Sequence, residues 1–277
     1  TYFFRFGGID NETLGRWSMD NRDMSFIELD PAVKQRLDLA MTARAVGEIT
    51  WPGPMALEDL RFLKKHTRRR TKITVIGPLT TAVHLVNEYY PDEETLAMAI
   101  ARAINQELKA LETEGVDIIQ LDEPDFHFRP DAAVKWGSKC LDIAFDGIKT
   151  TKAVHMCYGY AMIGDKHVNP NYSKVLQAIA QANTDQISIE YEQPGHRPDL
   201  LEYAGDKIVV LGLLDLGKEA IETPEYLVSR IREALEVIPP ERLHVAPDCG
   251  MWFLPRKSAF GKLQSLVKAA EIVRHSL

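Results

Sequence analysis

Four residues with soft or anionic side chains stand at the ends of short apolar runs. They are His155 and Cys157 in VHMCYG (154–159), Glu190 in ISIE (187–190) and Cys249 in PDCG (247–250). His155 and Cys157 are two apart on one candidate strand, so the pleat sends both side chains to the same side. One imidazole, two thiols and one carboxylate could make a four-ligand site for Zn2+. Thiolate with imidazole favours zinc over calcium or magnesium. Each residue alone has a plainer reading. An HxC pair in a strand is often packing, buried cysteine is commonly inert, and Cys249 between Asp248 and Gly250 could be a loop residue. Glu190 resists that treatment, because an unpaired buried carboxylate is costly. An acidic pair, Asp122 and Glu123 in IIQLDEP (118–124), closes another apolar run. Its plain alternative is capping a following helix.

Such a set suits thiol activation. A free thiol has a pKa of about 8.5 and is mostly protonated near neutrality, whereas zinc deprotonates a thiol it coordinates. Glu190 is the ligand expected to yield its place when a thiol substrate arrives. Displacing a poor leaving group such as an amine needs a proton in or before the transfer. His84, His127, His167 and His196 qualify for that task by chemistry alone, each being more readily a solvated or structural histidine. Trp51 and Trp252 could line a flat-ring pocket, core packing being the plainer reading.

Six short runs rich in Val and Ile must carry these residues: 72–77, 116–121, 152–157, 185–190, 207–212 and 242–247. With few polar interruptions they read as strands covered on both faces. Helices fall between them. Leu96, Ile100, Ile104, Leu108 and Leu111 recur at helical spacing in 93–111, and Leu227, Ile231 and Leu235 do so in 224–237. Thr223 is the expected N-cap of the second, with Pro224 at its first position, and a last helix spans about 258–274. Successive βα units imply a parallel sheet. No GxGxxG follows any run, which disfavours a dinucleotide-binding sheet. The expectation is a (β/α)8 TIM-type barrel, which normally takes eight strands and about 250 residues. Residues 1–50 read as helical and loop material with at most a short strand near 46–51. A barrel lacking its first one or two strands would explain both the count of six and an opening, TYFFRFGG, that begins at Thr1 rather than Met. Residues 1–277 are thus expected to be a single, N-terminally incomplete catalytic barrel domain.

Composition narrows the setting. At 277 residues and 45% hydrophobic content the chain can bury a core without staples. A net charge of −7 disfavours nucleic acid as a partner. No apolar run approaches the ~18 residues of a membrane helix. Three cysteines, Cys140, Cys157 and Cys249, form no disulfide framework and suit a reducing, cytoplasmic setting.

The local words resemble a known family. VHMCYG, ISIE and PDCG are similar to the zinc-binding segments of cobalamin-independent methionine synthases. IIQLDEP looks like the strand that carries an acidic pair into their active site. GEITWPGPMALEDLRFLKK (47–65), followed by KITVIGPLT (72–80), resembles the stretch leading into the first of the six runs. The order matches, and the resemblance covers roughly residue 45 to the end. It implies a (β/α)8 barrel in which His155, Cys157, Glu190 and Cys249 bind zinc. It also implies that Asp122 binds the amino group of homocysteine and that Glu123 supports the site or the methyl donor. The implied reaction methylates homocysteine to methionine. The partners are then a small-molecule thiol and a methyl donor, either 5-methyltetrahydrofolate, its polyglutamate or a methyl-corrinoid protein. The chain departs from the long-form enzymes near Gly217, where their histidine is absent and Lys218 stands in the loop. Their upstream Ser and Glu contacts to homocysteine would fall before Thr1. One alternative is a coenzyme M alkyltransferase of the epoxyalkane type, whose members tend to carry Arg where Tyr158 stands. Another is a non-catalytic zinc- or thiol-binding barrel.

Overall fold

The computed structural model describes residues 2–159 and 164–277. The segment ahead of the first apolar run departs from expectation. β1 (Gly7–Arg16) leads to the short β2 (Ile27–Leu29) and helix α1 (Pro31–Asp38), and β3 (Met41–Thr50) then returns antiparallel to β1. β1 reads GGIDNETLGR, whose mostly polar, partly exposed residues give no apolar alternation to detect. It is held by its ladder with β3 and by Arg44, which bonds Asp10 at 2.7 Å and Glu88 at 2.8 Å.

The chain continues through α2 (Leu57–His66), β4 (Lys72–Ile76), α3 (Pro78–Val83), β5 (Val86–Asn87), α4 (Glu93–Thr113) and β6 (Ile118–Asp122). The short α5 (Asp125–Phe128) and α6 (Pro130–Ala132) and a π turn lead into α7 (Ser138–Ala144). Then follow β7 (Thr151–Met156), β8 (Gly164–Lys166), which pairs with β2, α8 (Tyr172–Gln181), β9 (Gln186–Ile189) and β10 (Ile208–Gly212). α9 (Pro224–Leu235), β11 (Leu243–Ala246) and α10 (Arg256–Arg274) complete it. In α4 the five expected apolar residues are fully buried. In α9 the Thr223 hydroxyl accepts from the Tyr226 N–H at 3.2 Å, with Pro224 at the first position.

The six apolar runs form one parallel sheet in chain order, β4-β6-β7-β9-β10-β11. This is the run of successive βα units that a (β/α)8 barrel requires. Among the described residues β4 and β11 are its two edges. Burial, and then the charges of Lys72 and Arg70, hold His244 of β11 below its ordinary pKa.

The register sorts the two faces. Ile73, Val75, Ile119, Leu121, Val154 and Ile187 share one face, under the helices. Lys72, Gln120, Asp122, His155, Ser188 and His244 share the other. The strands are therefore not apolar on both sides, as their composition suggested. One face is a polar lining, and the site grows from its C-terminal end. Among the described residues no helix is long and apolar enough to cross a membrane.

Candidate metal centre

Strand alignment does most of the assembly. Asp122, His155 and Ser188 are successive partners across β6, β7 and β9, so they stand in one row. Cys157 follows the end of β7, Glu190 the end of β9, and Cys249 lies in the loop after β11. The ligand atoms of His155, Cys157, Glu190 and Cys249 all lie within 4.8 Å of one another. The two sulfurs are 3.5 Å apart. Two sulfurs each about 2.3 Å from a tetrahedral ion would be about 3.8 Å apart. The donor set and its spacing thus fit a metal ion.

Neighbours fix each donor. The Ser188 hydroxyl meets His155 Nδ1 at 3.1 Å, leaving Nε2 for the cluster. The Gly159 N–H donates to Cys157 Sγ at 3.2 Å. Glu190 accepts from the Tyr158 N–H at 2.9 Å and from Lys166 Nζ at 2.6 Å, a fully buried ion pair. Asp248, beside Cys249, accepts from the N–H groups of Tyr191, Glu192 and Gln193, which follow Glu190. It thereby ties the two ligand loops together. Gly212 makes room for it, since a Cβ there would lie 2.4 Å from the Asp248 carboxylate. Ser188, Lys166 and Asp248 were not foreseen from sequence.

The electrostatics favour anionic sulfur. The hydrogen bond from Cys157, then the imidazole of His155, bring the Cys249 thiol down to about 4 against burial. That same bond and burial push Cys157 well up. Burial would depress His155, but the bond to Cys249 and the charges of Asp122, Cys249 and Glu190 outweigh it and hold it at about 9. Burial raises Glu190 despite Lys166. Only Cys249 of the four donors is partly exposed, as is Asp122, so the cluster opens on their side.

The acidic pair divides. Asp122 stands beside His155. Glu123, the next residue, points away from the cluster and is completely buried. Its carboxylate accepts from the Leu79 N–H at 3.0 Å and from the Thr80 N–H and hydroxyl at 2.9 and 2.7 Å, capping α3. Gly77 packs so closely that a Cβ would sit 2.3 Å from that carboxylate. Its contacts are those of a helix cap.

The histidines also separate. His127 bonds the Cys157 carbonyl at 2.6 Å, and His196 bonds the Tyr158 hydroxyl at 2.7 Å. Burial depresses them to about 3 and about 4, so both stay neutral. His167 is exposed. His84 differs. Its Nε2 bonds Asp125 at 2.8 Å, Arg22 bonds the other oxygen of Asp125 at 2.8 Å, and its ring stacks on Trp17. It lines a cavity of about 200 Å³ with Trp17, Met24, Phe128, Pro124 and Gly159, two residues past Cys157. Trp51 donates to Glu107 at 2.8 Å instead, and Trp252 is largely exposed. Lys218 is exposed and paired with Asp215 at 2.8 Å.

Fold and site together define an α/β enzyme whose parallel strands end in a cluster of imidazole, thiol and carboxylate donors that could hold a metal ion, beside a further carboxylate. The model of the cobalamin-independent synthase catalytic domain matches residues 29–272. A methionine synthase of Pyrococcus horikoshii is 36% identical over 237 residues, 85% of this chain and 67% of the relative. One from Saccharolobus solfataricus is 35% identical over 235 residues, 84% and 67% of the two chains. The structure of a B12-independent methionine synthase from Shewanella sp. W3-18-1, in complex with selenomethionine, superposes with a TM-score of 0.82 at 31% identity. It covers 98% of this chain and 77% of that one. The chain belongs to the cobalamin-independent methionine synthase family, and it is a methyltransferase of that kind.

Proposed function

We propose that the chain methylates the thiol of homocysteine at a zinc ion held by His155, Cys157, Glu190 and Cys249. The observation that carries this is the convergence of the four donors from three strand ends, with Asp122 on the open side. Zinc, when bound, supplies a thiolate at neutral pH by lowering the pKa of a coordinated thiol. The residues of the chain do the rest. Asp122 takes the ammonium of the amino acid through a charge-assisted bond. Cys157 and Cys249 keep the centre anionic. The cavity beside Gly159 has the apolar walls and stacked aromatic face that a flat-ringed donor needs. His84, polarised by Asp125, stands at its wall to hold a proton for a leaving amine.

The family membership favours this reading over the coenzyme M alkyltransferase and the non-catalytic barrel. Tyr158 also fits it, being buried against His196 where the alkyltransferases tend to carry Arg. The donor, a methyl-folate or a methyl-corrinoid protein, is a small flat ring in one case and a protein partner in the other. Free thiols in the centre suit a cytoplasmic location.

The test is Asp122→Asn in zinc-loaded protein, assayed with homocysteine and with coenzyme M. Zinc content should stay at one per chain, while kcat/KM for homocysteine falls about tenfold to a thousandfold. Coenzyme M has no ammonium, so its use should not change. Unchanged homocysteine kinetics would refute the role of Asp122.

A further inference from the structure

We propose that Lys72 and Gln120 are positioning residues that aim Asp122 at the substrate ammonium, an inference that rests on the homocysteine reading above. The three side chains form one hydrogen-bonded line along the polar face of the sheet. Lys72 Nζ donates to Gln120 Oε1 at 2.8 Å, and Gln120 Nε2 donates to Asp122 Oδ1 at 2.8 Å. Gln120 and Asp122 are two apart on β6 and share a face. Lys72 pairs with Ile118 on the neighbouring strand, so its side chain reaches up one step to the amide.

The polarity of this line runs one way. A lysine ammonium only donates and a carboxylate only accepts. The amide between them therefore satisfies both ends in a single orientation. That orientation occupies Asp122 Oδ1 and leaves Oδ2 without a hydrogen-bond partner among the described residues. The amide also acts as a spacer. Bonded directly, Lys72 would neutralise Asp122 and compete with the incoming ammonium. One amide away, it supports the anion without covering it. Lys72 is only partly buried, yet its one hydrogen-bond partner among the described residues is this glutamine amide, and burial still holds its ammonium below the ordinary lysine pKa. The line gives it a purpose that packing does not.

The test is direct titration of zinc-loaded protein by calorimetry, with homocysteine and with 4-mercaptobutyrate, its analogue without the amino group. No methyl donor is needed. Lys72→Met and Gln120→Leu should each weaken homocysteine about tenfold, the scale of one bond to a charged group. Their affinity for 4-mercaptobutyrate should stay within about twofold, and Lys72→Arg should restore most of the loss. Circular dichroism and zinc content check folding, with Gln120→Met as the milder replacement if Gln120→Leu does not fold. Equal weakening of both thiols would overturn the inference by marking a merely structural line. Full homocysteine affinity in both variants, while Asp122→Asn loses it, would overturn the inference and leave the role of Asp122 standing. No loss in Asp122→Asn would bring down the reading of Asp122 itself, and the positioning role with it.

Discussion

Replacing Asp248 with Asn should weaken zinc binding without touching a ligand. Asp248 Oδ1 accepts from Tyr191 and Glu192 at 3.3 and 3.2 Å, and Oδ2 accepts from Gln193 at 2.7 Å. The side chain is almost completely buried. Asparagine of the same shape must turn its NH2 toward one set of N–H donors. Keeping the pair on Oδ1 sets NH2 against the Gln193 N–H and loses the shortest bond. Flipping it loses the other two.

A hydrogen bond to a charged group contributes about 1.5–3 kcal/mol. At about 1.4 kcal/mol per decade this is roughly a 10- to 150-fold loss of affinity. That is an upper bound, reached only if the metal-free loops relax and must be re-formed on binding. Support residues of metal centres cost about 10- to 100-fold when mutated, which agrees. An opposing effect must be weighed. Burial raises the pKa of Asp248 well above the usual range, so removing its charge relieves desolvation. Three N–H donors with no acceptor opposite favour the anion, and the net effect should be a loss. Competition against a chromophoric chelator measures the zinc Kd, and thermal unfolding of metal-free protein measures the clamp itself. We expect Kd to rise at least about threefold, half a decade below the lower bound, and Tm to fall by roughly 3–10 °C. An unchanged Kd with an unchanged Tm would refute the view that Asp248 joins the two loops as an anion.

Two further outcomes follow from the histidines. His127 and His196 have folded pKa values depressed to about 3 and about 4, so folding requires them neutral. Their contribution is fully present above about 6.5 and is lost as pH falls toward those values, by roughly 2–3 kcal/mol each at about pH 4.5. Denaturant titrations of the His127→Gln and His196→Gln variants should flatten that decline, and an equally steep acid limb would contradict the assignment. His84→Phe keeps an aromatic ring against Trp17 and removes the proton. With a methylated tertiary-amine donor, turnover should fall about a hundredfold or more. With a methyl-corrinoid donor, which needs no proton on its leaving group, turnover should hold, so the pair of rates also reports the donor. Equal loss with both donors would show that His84 shapes the cavity without supplying a proton.

Much of this was legible before any coordinate. The six apolar runs are the six strands of the sheet, because Val and Ile at alternate positions mark a face under helices whatever lies opposite. The opposite face escaped notice, since Lys72, Gln120 and His244 are single polar residues inside apolar words. The β1–β3 ribbon escaped because GGIDNETLGR carries its stability in main-chain bonds and Arg44, which leave no periodic trace. The four donors were visible as strand-end residues of the right chemistry. Their supports were not, because Asp248 reaches back 57 residues to Tyr191 and Ser188 stands 33 residues from His155. The different fates of Asp122 and Glu123 could have been read. Adjacent residues at a strand end point to opposite sides, so only one of the pair could face the cluster.

The supports also distinguish the donors from one another. Cys157 is buried and has only Cys249 and the Gly159 N–H beside its sulfur, so leaving a metal ion would strand its charge, and Cys249 leans on Cys157 and on His155, itself one of the four donors. Glu190 is provided for. Lys166 and the Tyr158 N–H hold its two oxygens at 2.6 and 2.9 Å, and the pair is fully buried. A carboxylate with such partners can exchange a metal bond for an ion pair at little cost, because its charge is never left uncompensated. Were zinc bound there, a substrate thiolate would bring the same single negative charge that Glu190 would withdraw, and Lys166 would compensate the released carboxylate. The residue with the least to lose is therefore Glu190, the one expected from its chemistry to give way to substrate.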